Sequence, residues 1–444
     1  MTFKPSFKPW ALYALVAGFC TPVWAQSQLT GVIEQALDLD AGRQQILAQS
    51  QAIRENGVAS ATQSDPKLKL GVGGLPVDSW TLDSDPMTNI SIGLMQEFGR
   101  GSSLSLQTEM ANKQADGNEW QIKVRELTIA NTISQLWSEL LYQQQAEAIL
   151  RENSQLVKEL ITFTDTNYSM GRSESQDVLQ ARIQLEKIHD QLQQNQQNQQ
   201  RIFAQLSEWL GSSWLNKQQT KHKLERLNWS KLDQTLAKQS QPYGEFYELL
   251  KLHPSVQMAE TNIEANKVQV DIANESYKPK FGVEVMYGYR QANGMNGEPA
   301  SDLVSAYLTM DLPLFTDKRQ DRQYAAAQYQ VGAAKSQRDV LLQQLNAKAN
   351  ALVVDRTNLI QRLERYQSRL LPQAKSRTQA VERGYQSNTA QFNDVVSAIR
   401  DELSLELELQ RLQADLNITN SNLAFIFNGF DYHVEAPTLH KEQE

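Results

Sequence analysis

The residues best placed to do chemistry lie around a short turn that the chain uses twice. The first copy carries Tyr168, Gly171, Arg172 and Asp177, and the second carries Tyr385, Asn388 and Asp394. Tyr168 and Tyr385, Gly171 and Asn388, and Asp177 and Asp394 are each 217 positions apart. Gly and Asn best tolerate a left-handed backbone, so both copies ask for the same tight turn. Asp177 and Asp394 fall in the first turn of a following helix, where a carboxylate suits the positive helix end. Asp165, Glu382 and Arg383 stand close by. This cluster offers ionic pairing, helix capping and a recognition surface rather than bond-breaking chemistry. No catalytic set is expected: His189, His222, His253, His433 and His440 are scattered, and none is read as forming a spaced pair with a carboxylate on one helix. No GxxxxGK phosphate loop occurs. A cofactor, a metal site and an enzymatic activity are therefore not expected.

These turns need long elements to carry them. The chain has 444 residues, 40% of them apolar, 8% aromatic, with a mean hydropathy of −0.52. Its middle is rich in Gln, Glu, Ala, Leu and Arg, the composition of long helices and coiled coils. A formal charge of −8 without a basic cluster argues against a nucleic-acid partner. Residues 1–25 read as a signal peptide: Lys4 and Lys8, an apolar run over 10–19, then Val23-Trp24-Ala25 before the cleavage point. Cys20, the one cysteine, leaves with that segment; bulky Phe19 before it argues against lipidation. No later stretch of ~18 apolar residues could cross a bilayer as a helix. What remains is a soluble chain or a former of closed barrels.

Taken in order, 29–64 reads as a helix closed by Pro66. Leu68, Leu70 and Val72 then alternate with Lys67, Lys69, Gly71 and Gly73, and Ile90, Ile92 and Leu94 alternate with Asn89, Ser91 and Gly93. That is a β-hairpin with strands at 67–73 and 89–98, apolar on one face and small or polar on the other. The stretch 102–164 contains no proline and spans about 95 Å as a helix at ~1.5 Å per residue. The first tip, at 168–177, and a return helix to about 210 follow. Residues 211–243, with Trp214, Trp229 and Pro242, form a mixed equatorial region. The plan then restarts: a helix to Tyr277, strands at 280–289 and 303–314, a second long helix, a tip at 385–394 and a helix to about 427. Met95 and Met286 fall on the polar strand face, a position that suits soft metals but more commonly holds filler.

The numbering supports duplication. Pro66 and Pro279 differ by 213, Ile92 and Leu308 by 216, and Leu206 and Leu423 by 217. Three extra residues are assigned to the second hairpin loop and one to the strand exit, as a bulge. The divisions are 1–25 signal peptide, 26–240 first repeat, 241–430 second repeat and 431–444 a polar tail. Four strands cannot close a membrane barrel, whose smallest members have eight. Strands in a membrane would thus require several copies, with helices too long for the bilayer projecting from it.

The tip segment from Tyr168 to Arg182 (YSMGRSESQDVLQAR) resembles the tip of the TolC family of outer-membrane efflux proteins. The second tip does as well, with Asn388 where that family has Gly. The resemblance covers essentially the whole mature chain. It implies a mainly α fold with a small β part: a homotrimer sharing a twelve-stranded β-barrel, continued by a periplasmic α-helical barrel. It also implies an outer-membrane efflux duct whose tips (Tyr168, Gly171, Arg172, Tyr385, Asn388) dock a periplasmic adaptor driven by an inner-membrane pump of the RND type. Asp165, Asp177, Glu382, Arg383 and Asp394 would stand around a narrow, threefold-repeated end as a periplasmic gate, alongside a capping role. The segments Asp65-Pro66-Lys67-Leu68, Leu75-Pro76-Val77-Asp78-Ser79 and Gly93-Leu94-Met95-Gln96 resemble the branch paired with heavy-metal pumps. The alternatives are a type I secretion exit duct and a soluble periplasmic coiled-coil scaffold, which would not need four strands with lipid-compatible faces.

Overall fold

The computed structural model describes residues 28–212, 214–215, 228–237, 244–387 and 389–439. The expected signal peptide, much of the equatorial region, Asn388, His222 and His440 lie outside them. The chain is mainly helical. α1 (Gln28–Leu39) and α2 (Ala41–Ser60) lead to β1 (Lys67–Gly73) and β2 (Asn89–Phe98). α3 (Ser103–Ser169) and α4 (Ser175–Leu210) form the first long hairpin. The short α5 (Ser230–Ala237) and α6 (Tyr247–Leu250) precede α7 (Pro254–Glu275), β3 (Phe281–Tyr289) and β4 (Leu303–Met310). α8 (Gln320–Arg365), a π-turn (Tyr366–Leu370), α9 (Leu371–Gln386) and α10 (Phe392–Ile426) complete it.

The expected single helix over 29–64 is two helices. Asp40 caps the second, its carboxylate accepting the Arg43 N–H at 2.9 Å, and this local bond competes with a continuous helix. The junction is buried. Arg43 pairs with Glu126 of α3 at 3.0 Å, both side chains under 5% exposed. The same guanidinium donates to the Leu37 and Glu435 carbonyls, tying α1, α3 and the C-terminal segment together.

The four strands make one antiparallel sheet in the order β1-β2-β3-β4. Its ladders are unbroken. Val72 faces Ile90 in the first hairpin and Val285 faces Ala306 in the second, so the second connection carries three more residues between equivalent partners. The expected bulge at the strand exit is not there. Instead the 216 offset persists through α8, where Ala111/Ala327, Ile133/Ala349 and Trp137/Val353 are equivalent buried pairs. It becomes 217 only after the π-turn at Tyr366–Leu370. A π-turn accommodates one added residue within a helix, so the slip is absorbed there. β4 also ends four residues short of the expected 314: Asp311 still donates its N–H to the Lys280 carbonyl, but Pro313, which has no N–H, follows.

The core is divided. One cluster joins Val32, Ile33, Leu37, Ile133, Trp137, Leu140, Leu206 and Leu210, with Phe430, Tyr432 and Val434 of the C-terminal segment packed on it. Its counterpart joins Leu232, Phe246, Leu250, Val256, Ala349, Val353 and Leu423. A third, nearer the tips, holds Leu150, Val157, Ile188, Val395, Ile399 and Leu403 and fastens one hairpin to the other. By contrast, the apolar sheet face is uncovered: Leu70 and Leu308 are each 72% exposed and Val304 74%. A continuous apolar surface left open on this scale marks an interaction with another molecule or with lipid. Among the described residues, no helix is long and apolar enough to cross a membrane.

Candidate functional site: the paired hairpin tips

α3 spans about 100 Å at ~1.5 Å per residue and ends in a turn set by backbone bonds. The Gly171 N–H donates to the Tyr168 carbonyl at 2.9 Å, and the Arg172 N–H reaches back to Asn167 at 2.8 Å. Gly171 has φ +72°, the left-handed residue that this helix ending requires. The second tip closes with the equivalent bond: the Thr389 N–H donates to the Gly384 carbonyl at 2.7 Å, 217 positions after its counterpart. Asn388 itself lies outside the described residues. The exchange of Gly for Asn can be seen at the other hairpin ends, where Gly211 has φ +79° and its counterpart Asn428 has φ +51°.

Asp177 and Asp394 close matching capping boxes. Asp177 accepts the Glu174 N–H at 3.4 Å and Asp394 accepts the Gln391 N–H at 3.1 Å. Asp165 pairs with Arg182 at 3.3 Å, with both side chains about half exposed. Arg172, Glu382 and Arg383 are exposed, the Arg383 guanidinium donating to the Gln379 carbonyl. Partial desolvation, and secondarily the Glu402 carboxylate, raise the Glu382 carboxyl above the ordinary glutamate range.

The two tyrosines differ. Tyr385 is half-buried between the tips, edge-on to Phe163 and Phe392, with its hydroxyl 3.2 Å from Ser173 Oγ of the first tip. Tyr168 is 49% exposed. Gln180 adds a second bond between hairpins, to Asn393 at 2.8 Å. Phe163, Phe392, Ser173 and Gln180 were not singled out from sequence, because their roles depend on how the hairpins pack. One histidine reading is corrected: His189 Nδ1 lies 3.5 Å from Glu186 one turn away on α4, an exposed pair. His253 is buried and caps α7, and burial pushes its pKa down to about 4. Among the described residues, no group of three His, Cys, Asp or Glu is arranged to hold a metal.

At the other end, the strand register places Met95 opposite Glu284 and Met286 opposite Gly93, on the polar face as expected. Lys69 pairs there with Glu284 at 2.6 Å, and Glu97 is held by Lys67 and Lys280. The site thus joins two capped, hydrogen-bonded tips to a sheet with one apolar and one charged face. The sequence matches the family described as outer membrane efflux protein over residues 32–212 and 246–429, most of the chain in two blocks. The chain belongs to the outer membrane efflux protein family.

Several solved structures share the fold. The outer membrane protein VceC from Vibrio cholerae is 18% identical with a TM-score of 0.73, covering 90% of this chain and 96% of its own. CusC is 15% identical with a TM-score of 0.73, covering 91% and 92%. The MtrE outer membrane channel of Neisseria gonorrhoeae, solved in an open state, is 14% identical with a TM-score of 0.68, covering 90% and 89%. A comparison with curated proteins gives no match.

Proposed function

We propose that the protein is the passive exit duct of a tripartite efflux system. Three copies share one twelve-stranded barrel in the outer membrane. Their long hairpins form a helical tube in the periplasm, each copy built from a first repeat over 26–240 and a second over 241–430. The observation that carries this reading is the sheet: an apolar face that the chain leaves open, and free edges at β1 and β4, on a protein whose helices are far longer than a bilayer is thick. Barrel closure between copies removes both edges.

The tips dock a periplasmic adaptor through Tyr168, Gly171, Arg172, Tyr385 and Asn388, and an inner-membrane pump of the RND type supplies the energy. Asp165, Asp177, Glu382, Arg383 and Asp394 surround the narrow end as its gate; the local caps and ion pairs at Asp165, Asp177 and Asp394 hold these carboxylates in fixed positions. The duct accepts what the pump delivers, with heavy-metal ions or drugs as the cargo class. Membrane fractionation tests the assembly: the protein should sediment with outer membranes and run as a heat-sensitive trimer on a gel. A monomer that stays dissolved without detergent would instead favour a periplasmic scaffold.

A further inference from the structure

α3 carries a single glycine, Gly117, well inside the helix. A glycine there weakens a helix relative to alanine. No close approach requires it, because a Cβ at this position would meet nothing within 4 Å. What the missing side chain leaves open is one wall of a groove of about 710 Å³ between α3, α7 and α8. Lys113 and Gly117 of α3, Met258 and Ala259 of α7, and Ala334 and Leu341 of α8 stand along it.

The walls carry one charge. Lys113 is half-buried, and the other lining residues are apolar, small, hydroxyl or amide. Its ammonium has no ion-pair partner among the described residues. The acids nearest along α3 and α7 are engaged elsewhere: Asp116 holds Arg54 at 2.9 Å and Glu260 holds Arg338 at 2.7 Å. The duplication does not copy this arrangement. At the offset of 216 that relates α3 to α8, Tyr329 and Ala333 stand in the places of Lys113 and Gly117. A requirement of the helical scaffold would appear in both repeats; these two residues belong to the first alone.

From this we infer that the groove binds a small anionic amphiphile, a carboxylate or sulfonate with an apolar body, its head on Lys113 and its body over Ala259, Ala334 and Leu341. The volume and the make-up, an apolar wall with a few polar groups, are those of small-molecule clefts. An unpaired ammonium beside apolar surface favours an anionic head, to which it gives a charge-assisted hydrogen bond, and opposes a cationic one. A helix of a partner protein does not fit as the occupant. The α7 wall runs only from 255 to 262, about 10 Å or two turns at ~1.5 Å per residue, too short for a helix held at several successive turns. All the lining residues come from one copy, so the site stands apart from the proposed ring and duct.

The test uses the purified full chain in a neutral maltoside detergent, with decanoic acid carrying a terminal diazirine as the probe. Illumination should label peptides that contain 113–118, 255–262 or 334–344. Decanoate should compete with the probe, and decyltrimethylammonium should not. Lys113→Gln should weaken the probe's apparent affinity by about tenfold or more, as loss of a hydrogen bond to a charged group does, while Lys113→Arg keeps it. Gly117→Leu suits a helix better than glycine and fills the open wall. It should abolish labelling with helical circular dichroism and elution volume unchanged. No labelling, labelling of other segments only, labelling that survives Lys113→Gln and Gly117→Leu, or equal competition by decyltrimethylammonium overturns the site.

Discussion

Gly171 carries a constraint that no side chain can meet without strain. Its φ of +72° lies in the left-handed region, where a Cβ costs roughly 1–2 kcal/mol. The space around it is open, so the cost comes from backbone conformation alone. Gly171→Asn should therefore be tolerated, since Asn428 holds a positive φ of 51° at another helix end, whereas Gly171→Pro should disorder the tip and abolish adaptor docking. Adaptor pull-down and drug or metal resistance check this; normal resistance in the proline variant would remove the docking role. His253 gives a pH prediction. Its folded pKa of about 4 lies below the unfolded value, so the unfolded chain binds the proton first and stability falls as pH drops from about 6.5 towards 4. The loss amounts to roughly 3 kcal/mol. Melting in detergent between pH 7 and 4.5 should show that slope, and His253→Asn, which keeps a cap for α7, should flatten it.

At the scale of elements, the strands were legible because their apolar face is left bare, so strict alternation survived in the sequence. The tips were legible because their residues repeat at one spacing and Gly171 takes the left-handed turn that its residue type suggests. Three features were not. The break at Asp40 hides inside a run with mixed three and four spacing. The N-caps Glu174 and Gln391 are not the residue types that usually announce a helix start. The π-turn has an ordinary helical sequence, Tyr-Gln-Ser-Arg-Leu, and only the change from 216 to 217 betrays it. That origin makes a prediction. Removing one residue there, such as Ser368, should restore a continuous α-helix and leave the phase of the helix below unchanged. The variant should trimerise and melt within about 1 kcal/mol of wild type, an ordinary surface change. Deleting Gln379 in α9 instead rotates everything up to the tip by about 100°, misplaces Tyr385 and should abolish efflux. Equal effects of the two deletions in trypsin-resistance and efflux assays would refute the insertion account.

For the whole molecule, the joint inside one copy predicts the joint between copies residue by residue. β2 and β3 belong to different repeats, and Leu94 faces Val285 across them. Their counterparts are Met310 on β4 and Val72 on β1, both on the apolar face and both on free edges. In the proposed barrel, Met310 of one copy should therefore face Val72 of the next, with Leu312 opposite Leu70 and Leu314 opposite Leu68. The parity is an independent check: all six are apolar, whereas a slip of one residue would set apolar side chains against Lys69 and Gly71 and turn a face inward. The same register extends β4 past Met310, which accounts for exposed Leu312 and Leu314 beyond its present end. Directly opposed residues on antiparallel strands bring their Cβ atoms to about 5 Å. Met310→Cys with Val72→Cys should oxidise to a covalent ladder of copies on a denaturing gel, while Met310→Cys with Gly71→Cys, whose side chains point to opposite faces, should not. Linking through position 70 or 74 in preference to 72 would shift the register by two and break the equivalence between the repeats on which the proposed ring rests.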